Sequence, residues 1–334
     1  MKCAVVGAGS WGTALSVSLC ATDDHDVVLW DHDTPRAERI QSARENQRYM
    51  PGVRLPPALR VTSDLAGALD GAGFVLSVVP SQATRGLWAE NGKLLSSEAL
   101  ICCASKGVEN ETLETMEKVL EETLGLAFLA RLSFLCGPSF AKEVAQGLPA
   151  AVVVAARHGA VAQSVAETLH TPTFRVYTTD DVTGAEIGAA LKNVIAIACG
   201  VVDGMGLGLN ARAALITRGL AEITRLAVAL GGNPLTLAGL AGTGDLVLTC
   251  TGDLSRNRRV GLGLGHGKTL PQILKELGQV AEGVVTAKSA HDLAKKMGVD
   301  MPISEEIYLM LYEGKPVGEA LRDLMGRQRR SERG

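Results

Sequence analysis

The stretch that decides the fold opens the chain: Cys3-Ala4-Val5-Val6-Gly7-Ala8-Gly9-Ser10-Trp11-Gly12, a short apolar run that breaks into Gly-x-Gly-x-x-Gly. The glycine pattern alone is weak evidence. Here it follows a predicted strand and opens a predicted helix, the setting its chemistry needs. Gly7 permits a tight turn, Gly9 lets backbone approach a pyrophosphate, and Gly12 lets the helix lie close to the strand. The helix N-terminus beside the loop attracts the anion. The plainer alternative is a glycine-rich turn without ligand. The loop predicts a dinucleotide and says nothing of a substrate.

Outward from the loop, short β-branched or apolar runs alternate with amphipathic segments, the pattern of a parallel sheet covered by helices. Strands are predicted from Cys3 to Val6, Val27 to Trp30, Phe74 to Val78, Leu100 to Ala104, Ser133 to Cys136 and Ala151 to Ala155. Helices should begin near Trp11, Ser63, Gln82 and Thr112, and after Pro138. The expected fold is α/β, a Rossmann-like doubly wound parallel sheet with ligand at the strands' carboxyl ends. From about Asp181 the β-branched runs stop and long helical segments follow, punctuated at Gly231-Gly232-Asn233-Pro234 and Met301-Pro302. The reading is therefore a dinucleotide-binding domain over 1–180 and an all-helical domain over 181–334. The cluster Gly261-Leu262-Gly263-Leu264-Gly265-His266-Gly267 lacks a preceding strand and reads as a helix-end turn.

A chain of 334 residues exceeds what one core usually organises, which agrees with two domains. With 46% hydrophobic and 21% charged residues and a net charge of -3, it is ordinary globular material, and no nucleic-acid partner is implied. The seven cysteines include no Cys-x-x-Cys pair, and Cys102-Cys103 on a strand would point oppositely. A reduced, cytoplasmic compartment is expected, with no metal. The apolar start ends at Gly7, too soon for a signal-peptide core or a membrane span. The apolar run from Ile187 to Val202 is interrupted by Lys192-Asn193 and reads as a buried helix. The basic tail around Arg327, Arg329 and Arg330 reads as a solvated end, with an intersubunit contact as the alternative.

Several residues could carry chemistry. Asp31 closes the second strand where a carboxylate usually accepts hydrogen bonds from the adenine-ribose hydroxyls of NAD and repels the 2′-phosphate of NADP. His32 and Arg36 lie close by and could offset that repulsion by pairing with the phosphate. Lys192 sits in an apolar segment with Gly188, Ala189, Ile195 and Ala196 at helical spacing, so small neighbours should leave room above its amine. Such a lysine either snorkels to the surface or is a desolvated functional group with its pKa lowered towards neutrality. Lys106-Gly107 follows a strand and could hold an anionic substrate at the ligand-facing edge. Ser139, in Gly137-Pro138-Ser139-Phe140, is either a substrate contact or an ordinary helix cap. Gly242-Thr243-Gly244-Asp245 and Ser255-Arg256-Asn257-Arg258-Arg259 bring a carboxylate and a dense donor cluster that suits a phosphomonoester, or else a solvated helix face.

Taken together and in order, these residues resemble the bacterial NAD(P)-dependent glycerol-3-phosphate dehydrogenase family from Met1 to about Arg327. The match is carried by Gly7-Ala8-Gly9-Ser10-Trp11-Gly12-Thr13-Ala14, Ser105-Lys106-Gly107, Cys136-Gly137-Pro138-Ser139-Phe140-Ala141, Glu186, Lys192-Asn193, Gly242-Thr243-Gly244-Asp245-Leu246, Ser255-Arg256-Asn257 and Val280-Ala281-Glu282-Gly283. The first motif is shared by many dehydrogenases. Lys192-Asn193 with Gly244-Asp245 and Arg256-Asn257 is specific to the family as a set.

The resemblance implies an oxidoreductase acting on CH–OH that moves a hydride between C2 of sn-glycerol 3-phosphate and nicotinamide, giving dihydroxyacetone phosphate. The reverse direction supplies glycerol 3-phosphate for phospholipid synthesis. It also implies a helical second domain like that of 6-phosphogluconate dehydrogenase, and a homodimer. Lys192 is the implied proton acceptor in oxidation and donor in reduction. Lys106, Asp245 and Thr249 match positions that bind substrate or orient the lysine, and Gly137 and Ser139 match substrate contacts. Ser255, Arg256 and Asn257 match the phosphate side, Arg256 also approaching the cofactor. Ser10, Trp11, His32, Lys106, Ala141, Val280 and Glu282 match cofactor contacts, so the helical domain should close over the cleft and exclude water. Asp31 departs from the pattern, since the family usually has a small residue there, and it leans the cofactor from NADP towards NAD. A β-hydroxy acid or ketopantoate dehydrogenase would share the loop and domain order but lack Arg256-Asn257. A non-catalytic nucleotide sensor would give Lys192, Lys106 and Asp245 no task.

Overall fold

The structure, a computed structural model, describes residues 1–22, 24–328 and 331. Strand β1 (Lys2–Val6) shows why the opening run is apolar throughout: Cys3 and Val5 enter one apolar layer, while Ala4 and Val6 enter the other. Alternate side chains leave opposite faces of a strand, so a sheet covered on both faces needs continuous apolar sequence. β2 (Asp26–Trp30), β3 (Arg60–Thr62), β4 (Phe74–Ser77), β5 (Leu100–Cys103), β6 (Leu132–Cys136), β7 (Ala150–Ala155) and β8 (Phe174–Thr179) complete one sheet in the order β3-β2-β1-β4-β5-β6-β7-β8. Cys102 and Cys103 fall in different layers, as strand alternation requires. All seven cysteines are free thiols.

The doubly wound reading holds with two corrections. β3 and β8 were not expected: β3 has three residues, and β8 is an edge strand whose exposed Arg175 and Tyr177 break any apolar run. β6 and β7 are antiparallel, because the segment 137–149 turns the chain back beside β6 without crossing the sheet, whereas every other neighbouring pair is parallel. Helices begin at Ser10, Leu65, Ser81 and Ala141, close to expectation. The one expected near Thr112 starts at Met116, since Val108 pairs with Thr115 across a turn that holds Leu113 at φ +63°. Strand order reverses between β2 and β4, which flank β1, and this switch point puts the ligand crevice at the end of the glycine loop.

Past β8 the chain is helical. Helix Val182–Gly204 is apolar and long enough to cross a membrane, yet its most apolar 18 residues are all buried inside the protein. Its closest partner is helix Arg256–Gly265. That helix corrects the reading of the glycine cluster as a turn: Gly261, Gly263 and Gly265 lie inside it, and only Gly267, at φ +80°, lies beyond its end. A Cβ on Gly261 would sit 1.9 Å from the Ile197 carbonyl oxygen, and one on Gly200 would sit 2.0 Å from that of Arg258. The glycines let two backbones touch, which offsets the roughly 0.5–1 kcal/mol that each costs inside a helix. Arg327 pairs with Asp300 at 2.7 Å, while Arg329 and Arg330 lie outside the described residues.

Candidate active site

The glycine loop has the geometry its sequence implies. Gly7 is at φ +119°, where a Cβ would lie 2.8 Å from the Val78 carbonyl oxygen, and a Cβ on Gly12 would lie 1.9 Å from that of Gly7. No other protein atom lies within 4 Å of a Cβ placed on Gly9. The space over Gly9 is therefore open, beside a helix (Ser10–Leu19) whose first turn has no side-chain cap. Uncapped amides and a helix dipole facing open space fit a pyrophosphate. Trp11 keeps its indole N–H buried without a protein partner, an orphan donor in the same loop.

Asn46, which sequence reading missed, fastens this loop from beneath. Fully buried, it donates to the Ala8 carbonyl at 2.9 Å and to the Thr13 hydroxyl at 2.8 Å, and it accepts from the Tyr49 amide at 3.3 Å. The Ser10 hydroxyl donates to the Tyr49 carbonyl at 2.8 Å. An asparagine in a polar loop gives no sign in sequence of what it holds.

Asp31 stands at the carboxyl end of β2, as expected, but does not face the crevice as a free carboxylate. It is 1% exposed, accepts from Arg36 Nε at 2.6 Å and from Arg36 Nη2, and takes the Asp33 amide at 3.0 Å. The expected ribose acceptor is thus occupied by the arginine. His32 beside it has a side chain 77% exposed.

The centre is built from three charged side chains that sequence places far apart. Lys106 follows β5, Lys192 lies inside helix Val182–Gly204, and Asp245 opens helix Asp245–Thr251. Lys106 Nζ lies 3.1 Å from Asp245 Oδ2, and Lys192 Nζ pairs with Oδ1. Thr249 donates to the Asp245 carbonyl at 2.6 Å, and Lys106 reaches the Gly137 carbonyl at 3.4 Å. Lys192 does not snorkel; it is 5% exposed. The space expected over Gly188 is filled, because a Cβ there would meet the Ala241 carbonyl at 2.7 Å. That glycine admits the π-helical segment Leu240–Gly244, which carries Asp245 to the lysine.

Burial dominates the titration of Lys192 and, against Asp245 but with Lys106, brings its pKa down to about 8. Burial also works against the Lys106 ammonium, yet Asp245 and Cys136 leave its pKa raised. Burial disfavours the Asp245 carboxylate, and the two lysines outweigh it to hold its pKa low. One carboxylate thus faces two ammonium groups. Lys192 is the member poised to exchange a proton near neutrality.

Around this centre, Asn193 accepts from Asn257 at 2.8 Å, and Asn257 accepts from the Gly283 amide at 2.9 Å. Ser255 caps helix Arg256–Gly265 through the Arg258 amide at 3.2 Å. The arginine cluster divides: Arg256 donates to the Val280 carbonyl at 2.8 Å, Arg258 turns away to Asp203 and Asp253, and Arg259 is exposed. Glu282 accepts from Ser81 at 3.3 Å, a link between the two halves that sequence reading missed. Val280 is 53% exposed. Gly137 is at φ +112°, and Ser139 donates back to its carbonyl at 3.1 Å. Ala141 opens the short helix Ala141–Ala145. Glu186, earlier on the Lys192 helix, accepts the Glu117 amide at 3.1 Å, and burial beside Glu117 pushes its pKa up to about 8. A separate cavity of about 330 Å³, lined by Glu117, Arg157, Asp181 and Asn233, lies apart from this centre. Among the described residues, no three His, Cys, Asp or Glu side chains group as metal ligands would.

Two family models match the chain, the NAD-dependent glycerol-3-phosphate dehydrogenase N-terminus over residues 2–162 and the C-terminus over residues 181–322. A glycerol-3-phosphate dehydrogenase (NAD(P)+) of Anaeromyxobacter sp. strain K is 54% identical over 332 residues, 99% of this chain and 100% of its own. One from Myxococcus xanthus is 50% identical over 99% of both chains. The crystal structure of glycerol-3-phosphate dehydrogenase from Coxiella burnetii superposes with a TM-score of 0.93 at 38% identity, covering 98% of this chain and 99% of that one.

Proposed function

The chain belongs to the NAD-dependent glycerol-3-phosphate dehydrogenase family, and from that premise we propose that it interconverts sn-glycerol 3-phosphate and dihydroxyacetone phosphate with Lys192 as its proton carrier. The observation that carries the proposal is the buried Lys106–Asp245–Lys192 cluster, in which one lysine has a pKa of about 8. A sensor of nucleotides would have no use for it. A β-hydroxy acid dehydrogenase would not need Arg256 and Asn257 beside it.

In oxidation, neutral Lys192 takes the proton from the C2 hydroxyl as the hydride leaves C2. In reduction, its ammonium returns a proton to the carbonyl oxygen. Bound nicotinamide supplies the hydride acceptor or donor. Lys106 stays charged, orients Asp245 and offers a cation to the oxygen developing charge at C2. Arg256 and Asn257 supply the fork and amide that suit a phosphomonoester, with Gly137, Ser139, Thr249 and Ser255 completing the substrate shell. The Gly9 cradle with Ser10, Trp11 and Gly12 holds the pyrophosphate, and His32, Ala141, Val280 and Glu282 line the rest of the cofactor path. The Ser81–Glu282 link draws the halves over the crevice and excludes water from it. We place the domain boundary at 180/181 and expect a cytoplasmic homodimer, the default assembly for such enzymes, serving phospholipid synthesis.

The test is oxidation of NADH or NADPH by purified protein with dihydroxyacetone phosphate, followed by absorbance. Turnover with at least one cofactor is expected. Its absence with both refutes the proposal.

A further inference from the structure

We propose that Asp31 is an anchor that turns Arg36 into the ligand of an adenosine 2′-phosphate, so that the nucleotide end of the crevice prefers the phosphorylated cofactor. The inference rests on the NAD(P) reading above and concerns only which of the two is taken.

At the end of the second strand of such a fold, a free carboxylate selects the ribose diol and an arginine selects the 2′-phosphate. This chain has both residues, and their geometry decides between them. Asp31 is 1% exposed, each of its oxygens takes an N–H of Arg36, and Oδ1 also takes the Asp33 amide, so burial and these three donors withdraw it from a ribose hydroxyl. Its negative charge is already matched at hydrogen-bond distance, which removes the repulsion an exposed aspartate would exert on a phosphate.

A guanidinium carries five N–H donors. Asp31 takes one from Nε and one from Nη2, and Asp33 takes one from Nη1 at 3.2 Å. One donor on each Nη is left over, a pair suited to two phosphate oxygens. The Asp33 carboxylate is itself committed, since it also caps helix Thr34–Ala43 by accepting the Arg36 amide at 2.8 Å. Tyr49 lies against the guanidinium, with Arg36 Cζ 5.6 Å from its ring centroid, and Arg48 Cζ lies 5.2 Å from the same centroid. The exposed imidazole of His32 flanks Asp31. Arg36, 8% exposed, is thus held in one orientation by two carboxylates and a ring, with Arg48 on the same ring and the loop that fits the pyrophosphate alongside.

The experiment compares binding of adenosine 2′,5′-bisphosphate with adenosine 5′-phosphate by calorimetry, and kcat/KM for NADPH with that for NADH, in the wild type, Asp31→Asn, Arg36→Lys and the double variant Asp31→Asn with Arg36→Gln. The wild type should bind the bisphosphate at least about tenfold more tightly, the order expected for a charge-assisted pair. Arg36→Lys should erase most of that preference, because a point charge on a flexible stem lacks the planar fork that spans Asp31 and two phosphate oxygens. Asp31→Asn should not increase it. If the single arginine variant fails to fold by circular dichroism, the double variant, an uncharged hydrogen-bonding pair of similar size, should show the same loss. Equal binding of the two nucleotides by the wild type overturns the proposal, and so does an Asp31→Asn variant whose preference for the 2′-phosphate rises severalfold. A protein that keeps the nucleotide preference yet turns over neither cofactor would refute the catalytic reading and leave this one standing.

Discussion

Asp31 and Asp245 are both 1% exposed, and both lie at the crevice with a cationic partner, yet the partners differ in kind. Asp31 is matched one to one by an arginine, which keeps its proton at any working pH and presents a fixed planar fork. Asp245 is shared by two lysines, so the group carries one surplus positive charge. Burial and that surplus fall on Lys192, whose pKa drops to about 8, against the pull of Asp245 itself. The first pair can recognise an anion but cannot pass a proton. On the proposed function the second does both, its surplus charge attracting a phosphorylated substrate while Lys192 exchanges its proton near neutrality.

The sharpest way to break the contrast is to make the second site resemble the first. Lys192→Arg keeps the charge beside Asp245 but installs a group that does not release its proton. The expected loss in kcat is about 10²–10⁴-fold, the usual worth of general acid-base catalysis, and Lys192→Ala should fall in the same range. A steady-state assay in both directions checks this. If Lys192→Arg keeps more than about a tenth of wild-type kcat, another group carries the proton.

The pH dependence sharpens the same point. Neutral Lys192 is needed for oxidation and its ammonium for reduction, so kcat/KM should rise through pH about 8 in oxidation and fall through it in reduction. Asp245 raises the lysine's pKa, so Asp245→Asn should move both profiles to lower pH. Linkage gives the stability sign. A lysine with a depressed folded pKa binds a proton when unfolded but not when folded between pH about 8 and its ordinary 10.5, so stability from this group rises with pH across that window. Denaturant melts at pH 8, 9 and 10, compared between the wild type and Lys192→Met, test the direction, and a fall in the difference with pH would contradict the assigned pKa.

How much of this was legible in sequence follows from which partners are local. β1 and the glycine loop could be read because every determinant lies within one short stretch. Lys192 stood out as a charge in an apolar helix, but nothing near it announced Asp245, which is brought in by the space Gly188 leaves for the segment before it. The glycine cluster misled because glycines read as a turn when the backbone they pack against is unknown. β8 was missed because an edge strand has one side open to water and needs no continuous apolar run. Asp31 was placed correctly at the end of β2, but its pairing with Arg36 was not legible, since a partner five residues on could have pointed elsewhere.

The nucleotide end and the catalytic end should also separate in kinetics, and Asn46 tests that. Asn46→Ala leaves the Ala8 carbonyl and Thr13 hydroxyl without their buried donor, at a cost of about 1–3 kcal/mol. Because Ala8 lies in the loop over which the pyrophosphate is placed, the loss should appear as a raised KM for the dinucleotide and a lower melting temperature, with kcat changed far less than by any Lys192 variant. A fall in kcat at unaltered cofactor KM would mean that Asn46 reaches the lysine cluster and that the two ends are not independent.

The smallest effect should come where the two ends meet. Ser81 donates to Glu282 at 3.3 Å, one neutral donor to one carboxylate across the crevice, and Gly107 packs so closely on Ser81 that a Cβ there would lie 2.5 Å from its hydroxyl. Ser81→Ala removes the hydrogen bond and keeps the packing; at 3.3 Å the bond is long for one to a carboxylate, so the expected loss stays at about 0.5–1.5 kcal/mol, about tenfold at most in cofactor kcat/KM. Its pH dependence carries the information. Burial already raises the pKa of Glu282, and the serine hydroxyl opposes that rise. Without the hydroxyl the carboxylate should take up a proton at a higher pH than in the wild type, so the defect should be present where Glu282 is ionised in the wild type and vanish at acid pH, where both forms are protonated. A defect of constant size across that range would assign Ser81 to shape alone, and closure of the helical half over the dinucleotide would then have to rest on the contacts that do cross between the halves, Gln279 donating to the Arg48 carbonyl at 3.4 Å and Lys106 paired with Asp245 at 3.1 Å.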